Sequence, residues 1–206
     1  MTREIRWRIL TLQVVVIVVL AFAAGVGFWA HNFTHDQVTS QLKEQQITFP
    51  AANSPEITAL PAADASAMKQ YAGLPMTTGD QARVWAENFI AVHLKNIGMD
   101  PKTKISHPYD YWSGLAMSTK NPALAAKYDG IANTLFKGET LRSLLNQAWA
   151  FWFVGTIALY GAIGMLVAAL VVLAAFLFEL AVVPRREGVV SLSKKPGSSS
   201  AAVPVS

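Results

Sequence analysis

Two long apolar stretches constrain the fold of this chain more than any other feature. They run from Ile9 to Ala30 and from Trp149 to Val183, and the polar segment 31–148 separates them. An apolar helix of about 20 residues matches the ~30 Å hydrocarbon core of a bilayer. The pattern therefore predicts an all-α membrane protein, with two transmembrane helices flanking a small, mostly helical extracytoplasmic domain.

The placement of charge predicts the orientation of the protein in the membrane. Segment 31–148 is neutral, with ten basic and ten acidic residues, whereas three arginines precede the first apolar stretch and two arginines follow the second. Basic residues beside a span favour the cytoplasmic side. We therefore expect a bacterial plasma-membrane protein with both termini cytoplasmic. The neutral middle segment also argues against nucleic-acid binding, which needs a basic surface.

These observations divide the chain into five predicted segments. They are a cytoplasmic N-terminus (1–8), a first transmembrane helix (9–30), an extracytoplasmic helical domain (31–148), a second transmembrane helix (149–183) and a cytoplasmic, disordered tail (184–206). A cleaved signal peptide is the alternative for the first span, because the arginines and Ala21-Phe22-Ala23 fit that template. The apolar run exceeds the roughly 7–15 residues of a signal peptide, so we expect a retained helix.

Small residues in the two apolar stretches predict where the spans pack. The candidates in the first stretch are Ala21, Ala24 and Gly25. The candidates in the second stretch are Gly155, Ala158, Gly161 and Ala162. Antiparallel spans would bring the two sets to the same depth, where small side chains allow the backbones to approach closely. The same residues would equally suit a partner helix, and the sequence leaves both alternatives open.

Residues 78–97 carry the clearest helical pattern outside the apolar stretches. Thr78 and Gln81 match a capping box, and Gly98 follows as a stop signal. Apolar residues recur at helical spacing and give this helix one apolar face. On that face we assign a candidate surface for a protein partner, formed by Trp85, Phe89 and Val92.

The rest of the middle segment predicts short helices and loops. A helix is expected to begin after Asn121-Pro122 and to run toward Phe136, because asparagine caps helices and proline suits the first turn. Gly138 is expected to break the chain before a new helix begins near Thr140. Segment 102–111 mixes proline, aspartate and serine and predicts a loop, and one short helix is expected near residues 65–71.

The sequence offers few groups for catalysis or metal binding. It has no cysteine, which excludes disulfides and thiolate sites. His31 and His35 have the i, i+4 spacing of paired metal ligands, although interfacial polar residues are the simpler interpretation. A metal-dependent oxidoreductase that uses these two with His93 or His107 is one alternative function. We predict no catalytic, cofactor-binding or metal-binding residue, and the sequence identifies no small-molecule substrate.

Glu179 is the only acidic residue within the second apolar stretch. An ionisable residue inside a membrane is a candidate for a proton path. Its place near the cytoplasmic end of the stretch favours a carboxylate that reaches the headgroups instead. Two spans can conduct only as an oligomer, so an oligomeric transport or proton-handling element is a second alternative function.

Three segments outside the apolar stretches resemble those of a protein family. Residues 86–95 (AENFIAVHLK) and 134–142 (TLFKGETLR), with PEITALP at 55–61, are similar to recurrent segments of small bacterial two-span membrane proteins. The resemblance covers about residues 55–169 and implies the fold more than an activity. Some members carry a ring-opening dioxygenase name, which implies an iron site of two histidines and a carboxylate. The four histidines of this chain fall in three separate neighbourhoods.

The residues and the resemblance together favour a function without catalysis. Our leading expectation is a non-enzymatic accessory subunit or an envelope-facing interaction module. Its predicted partners are the lipid bilayer and either another protein or a second copy of the chain.

Overall fold

The computed structural model describes the backbone of residues 3–192 and the side chains of residues 4–181. Residues 3–192 contain no β-strand, only the isolated bridges Thr48–Pro75 and Met99–Ser106. The elements are α1 (Arg3–Glu44), α2 (Pro55–Thr58), α3 (Ala62–Lys69), α4 (Gly79–Val84), a π-helix (Trp85–Ile90), α5 (Ala91–Ile97), α6 (Tyr109–Ser118) and α7 (Pro122–Leu192). The predicted all-helical class with two long apolar helices is confirmed.

The chain divides into two compact units. One unit, the apolar helix pair, comprises residues 3–27 and 160–192 of the described chain, and the other, the helical domain, comprises residues 28–159. Helices α1 and α7 each contribute to both units. The predicted boundaries at 30/31 and 148/149 therefore fall inside continuous helices, and the span limits themselves stay predictions.

The long apolar stretches of α1 and α7 are mostly exposed. Each helix contains an 18-residue window with a mean hydropathy of 2.7, and only 11% of each window is buried. A long apolar helix in the core of a soluble protein would instead be covered by its neighbours. In length and composition, both helices are able to cross a membrane.

The helical domain has one hydrophobic core, to which α1 and α7 both contribute. Its fully buried large side chains are Phe49, Ile57, Met68 and Met76. The ring of Phe49 packs beside Tyr71, with centroids 5.4 Å apart, and edge-on to Trp85 at 5.1 Å. Such aromatic pairs add to the stabilisation from buried area, so they anchor segment 49–75 to the core despite its prolines.

The predicted capping signals of the 78–97 helix are confirmed. The Thr78 hydroxyl accepts from the Gln81 backbone amide, the Gln81 side chain accepts from the Thr78 amide, and the helix ends at Gly98. The π-helical turn at Trp85–Ile90 is not predicted by the sequence. An α-helix turns about 100° per residue, so a four-residue step overshoots one turn by about 40°. A wider π-turn removes that overshoot, and it keeps one row of small and aliphatic residues buried: Ala82, Ala86, Ile90 and Leu94.

Two sequence predictions for the C-terminal half are wrong. Gly138 does not break the chain, because α7 continues through it from Pro122 to Leu192. A Cβ at Gly138 would overlap Leu94 Cδ2, so this glycine serves close packing rather than termination. The predicted loop 102–111 ends at Pro108, since α6 begins at Tyr109 and buries Trp112. The start of α7 is as predicted, with Asn121 Oδ1 accepting from two backbone amides.

Candidate functional site

Two histidines join α1 to α7 within the helical domain. His31 Nδ1–H donates to the Gly155 carbonyl at 3.0 Å, and His35 Nε2–H donates to the Trp152 carbonyl at 3.2 Å. The His35 ring also stacks on the Trp152 ring, with centroids 3.6 Å apart, and lies 4.1 Å from the His31 ring. The two histidine side chains thus link α1 to backbone carbonyls of α7. These hydrogen bonds can form only where the two helices approach closely.

Gly155 permits that close approach. A Cβ at this position would overlap Thr34 Oγ1 and come within 2.8 Å of His35 Cδ2. Real Cβ atoms do not make such contacts, so any side chain here would push α1 away or displace Thr34 and His35. Gly155 therefore lies where α1 and α7 approach closely, and its nearest neighbours on α1 are Thr34 and His35 rather than the small residues of the first stretch.

The histidine pair has the environment of a structural contact. Burial lowers the pKa of His35 from its usual 6.5, and the charge of the nearby His31 lowers it further. The neutral ring is the form that this site favours. Among the described residues, no group of three His, Cys, Asp or Glu side chains is arranged to hold a metal ion. His93 bonds to the Phe89 carbonyl of its own helix, and His107 stacks on Tyr111.

A network of polar side chains joins the π-helix to α7. Glu87 receives hydrogen bonds from Arg142, at 2.7 Å, and from Asn146. These bonds, led by the one from Arg142, lower the pKa of Glu87, and the same pairing raises the pKa of Arg142. Both side chains are about one-third exposed, so water screens the pair. The network fixes the position of the 78–97 helix on α7.

Segments 86–95 and 134–142 pack on each other. Glu87 lies in segment 86–95, and its partner Arg142 lies in segment 134–142. Leu94 of the first segment packs on Gly138 of the second. Local sequence patterns do not predict this contact, because 38 residues (96–133) separate the two segments.

A groove runs between α1 and α7 in the helical domain, with a volume of about 530 Å³. Its floor is formed by Val38, Leu42 and Leu145, which are at most 4% exposed and belong to the domain core. On the α7 side the groove is bounded by the exposed apolar side chains of Leu141, Leu144 and Phe151 and by the exposed Gln147. The floor is therefore part of the stable core, whereas the wall above it is open.

The α1 wall of the groove is uncharged and mostly polar, with Phe33 as its exposed apolar residue. It carries the exposed side chains of Gln37 and Gln41, which lie one turn apart on α1, and of Gln45, which directly follows the end of α1. None of the residues that line the groove within residues 28–159 is charged. An apolar wall facing a row of amides suits an apolar occupant with uncharged hydrogen-bonding groups. Sequence analysis missed this groove, although the four-residue spacing of the glutamines was a visible signal.

The candidate partner face lies partly against the core of the same domain. Trp85, Phe89 and Val92 are half-buried and pack on the buried cluster. Their role toward another protein stays a prediction. The groove wall is more exposed, with Leu144 58% and Phe151 54% accessible.

The predicted small-residue positions differ in burial. Ala24 and Ala162 are buried in the apolar helix pair, at 2% and 0% exposure. Ala158 is half-buried in the helical domain. Ala21, Gly25 and Gly161 are exposed. A Cβ at Gly25 would meet nothing within 4 Å, and a Cβ at Gly161 would meet only Met165 Cε at 3.9 Å. For these three, packing on the other span and packing on a partner helix both stay predictions.

Glu179 lies within the apolar helix pair and is half-buried. Its backbone carbonyl, not its carboxylate, accepts a hydrogen bond from Arg6 Nη2 at 3.4 Å. The contact ties the start of α1 to α7. It does not form a chain of ionisable groups, so the geometry adds no support for proton transfer.

No family model, curated protein or solved structure matches this chain.

Proposed function

We propose that this chain is a two-span integral membrane protein whose extracytoplasmic helical domain is a non-enzymatic binding module. The observation that carries the proposal is the groove between α1 and α7, in which a buried apolar floor is bordered by exposed leucine and phenylalanine side chains. A protein surface in water rarely keeps such an apolar groove uncovered unless a ligand or a partner binds there.

The exposed apolar windows of α1 and α7 support membrane insertion. Each window is long enough for the hydrocarbon core and is only 11% buried within the chain. Lipid is the environment that makes such exposure favourable. The basic residues beside both stretches support cytoplasmic termini and an outer domain. The resemblance of residues 86–95 and 134–142 to two-span bacterial membrane proteins supports the same architecture.

The polar groups of the helical domain support binding rather than catalysis. His31 and His35 each use a ring nitrogen to hold α7, and Glu87 and Arg142 neutralise each other. The geometry favours neither the oxidoreductase nor the proton-handling alternative, since the described residues bring no third ligand to the histidines and no relay to Glu179.

Single cysteines test the module directly, because the chain has no native cysteine. Leu144→Cys places a thiol on the groove wall, and Leu124→Cys places a matched thiol on α7 outside the groove; the leucines are 58% and 41% exposed. In native membranes a water-soluble maleimide should label Leu124→Cys at least several-fold faster, because an occupant shields the groove. Carbonate washing should leave the protein in the membrane fraction.

Two results would contradict the proposal. Equal labelling rates at the two positions would show an empty groove, which removes the binding module. Release of the intact chain by carbonate would show that the apolar helices do not span the bilayer.

A further inference from the structure

We infer that the outer edge of the bilayer's hydrocarbon core crosses α7 near Ile157, so that residues 149–156 lie above the core and the exposed side chains of Phe153 and Val154 meet lipid headgroups. This boundary rests on the proposed function, because it requires α7 to span a membrane. It moves the start of the predicted second transmembrane helix (149–183) inward by about two turns. The charged groups beside the start of that stretch, and its length, both support the boundary.

Two hydrogen bonds fix the height of α1 against α7 within the helical domain. His31 donates to the Gly155 carbonyl at 3.0 Å, and His35, one turn further along α1, donates to the Trp152 carbonyl at 3.2 Å. The residue numbers rise along α1 while they fall along α7, so the two helices are antiparallel here. Each histidine therefore lies at the height of the α7 residue that it binds, and the polar start of segment 31–148 lies beside the start of the second apolar stretch.

Three exposed charged side chains border the first turn of that stretch. Asp36 follows the second histidine on α1. The guanidinium carbon of Arg83 lies 4.2 Å from the centre of the Trp149 ring. Asp80 is the second residue of α4, whose first residue packs directly on the Trp152 side chain. Charged side chains are strongly disfavoured in hydrocarbon, so this turn of α7 lies outside the hydrocarbon core.

The length of the second apolar stretch supports the same boundary. As a helix, residues 149–183 extend about 52 Å, against ~30 Å for the hydrocarbon core. Even a tilt of ~40° would leave about 40 Å across the membrane. Residues 157–178 end directly before Glu179 and extend about 33 Å. The first apolar stretch, 9–30, has the same number of residues, so a boundary at Ile157 gives the two spans equal lengths.

The side chains directly above Ile157 suit the headgroup layer. Phe153 and Val154 are 50% and 57% exposed, whereas Trp152, one residue higher, packs partly on the core of the helical domain. A bilayer of ~40–45 Å with a core of ~30 Å leaves a headgroup layer of roughly 5–8 Å on each side. That layer is as high as about 3–5 residues of an α-helix. Phe153 and Val154 therefore reach headgroups, and the turn above them is covered by the domain.

Single cysteines measure this boundary in the full chain, which has no native cysteine. Val154→Cys lies in the headgroup layer, Val167→Cys lies about 15 Å below Ile157, and Asn32→Cys is a control on α1 at the height of Val154; all three positions are exposed. The purified protein is reconstituted in phosphatidylcholine nanodiscs and treated with a water-soluble maleimide. We expect Val154→Cys to react within about threefold of the rate of Asn32→Cys and at least about tenfold faster than Val167→Cys, because hydrocarbon excludes both the reagent and the reactive thiolate.

The other outcomes separate this boundary from the proposed function. A rate at Val154→Cys closer to that of Val167→Cys than to that of Asn32→Cys would overturn the boundary and leave the two spans intact. Slow reaction at all three positions would also overturn it, because hydrocarbon would then reach Asn32. A rate at Val167→Cys as fast as that of Asn32→Cys would overturn both, since α7 would not cross the bilayer. Phe153→Cys, on the same turn, replaces Val154→Cys with the same expectations if circular dichroism shows that Val154→Cys does not fold.

Discussion

Replacing Gly155 with alanine should weaken the contact between α1 and α7 that organises the helical domain. The new Cβ would overlap Thr34 Oγ1 and crowd His35 Cδ2 at 2.8 Å. Overpacking of this kind costs about 1–3 kcal/mol. The two histidine hydrogen bonds to α7 would also stretch, at about 0.5–1.5 kcal/mol each. Alanine regains about 1 kcal/mol of helix propensity, so we expect a net loss of about 3 kcal/mol.

Gly161 supplies the matched control, because it lies in the same helix. A Cβ there would meet only Met165 Cε at 3.9 Å, an ordinary contact. Gly161→Ala should therefore be neutral or stabilising by up to about 1 kcal/mol. The assay is the free energy of unfolding in mixed micelles, followed by the loss of helical circular dichroism during titration with SDS.

The contrast between the two glycines carries the test. If Gly155→Ala is as stable as Gly161→Ala, then α1 and α7 do not approach closely at Gly155. A second variant separates steric crowding from other causes. Adding Thr34→Ala to Gly155→Ala removes the atom that the Cβ would overlap, and it should recover part of the lost stability.

Three further predictions concern the core, the polar network and pH. Phe49→Ala should destabilise by about 3–5 kcal/mol because Phe49 is 1% exposed, whereas the 58% exposed Phe136→Ala should change stability by less than about 0.5 kcal/mol; similar losses in chemical denaturation would refute this. A double-mutant cycle of Glu87→Gln and Arg142→Met should give a coupling of about 0.5–1 kcal/mol, since the pair is partly screened, and zero coupling would contradict the network. The lowered pKa of His35 means that the unfolded chain binds more protons below pH 6.5. Stability should therefore fall as the pH is lowered from 7.5 to 5.0, with a smaller fall in His35→Phe; an unchanged pH dependence in that variant would oppose the burial of His35.

Local signals in the sequence predicted the ends of helices. Thr78 and Gln81 form the expected capping box, and Asn121 caps α7. These signals work because the groups that satisfy a helix end lie within four residues of it. The long apolar stretches were equally clear, because their length alone distinguishes them.

Features that depend on distant residues were not predictable in this way. Gly138 resembles a helix terminator in sequence, yet its role is set by Leu94 on another helix. The π-turn at Trp85–Ile90 follows from the packing of that helix on the core. The same reason applies to the groove, whose glutamine row is local to α1 but whose apolar wall comes from α7. The groove therefore becomes predictable only once the pairing of α1 with α7 is known.

The orientation of the chain in a bilayer is the central claim, and two single cysteines measure it most directly. Ser118 is exposed in the helical domain, and Ser193 lies outside the described residues, beyond the second apolar stretch. In spheroplasts, a membrane-impermeant maleimide should label Ser118→Cys at once and label Ser193→Cys only after permeabilisation. Labelling of both positions in intact spheroplasts, or of Ser193→Cys alone, would contradict the two-span account.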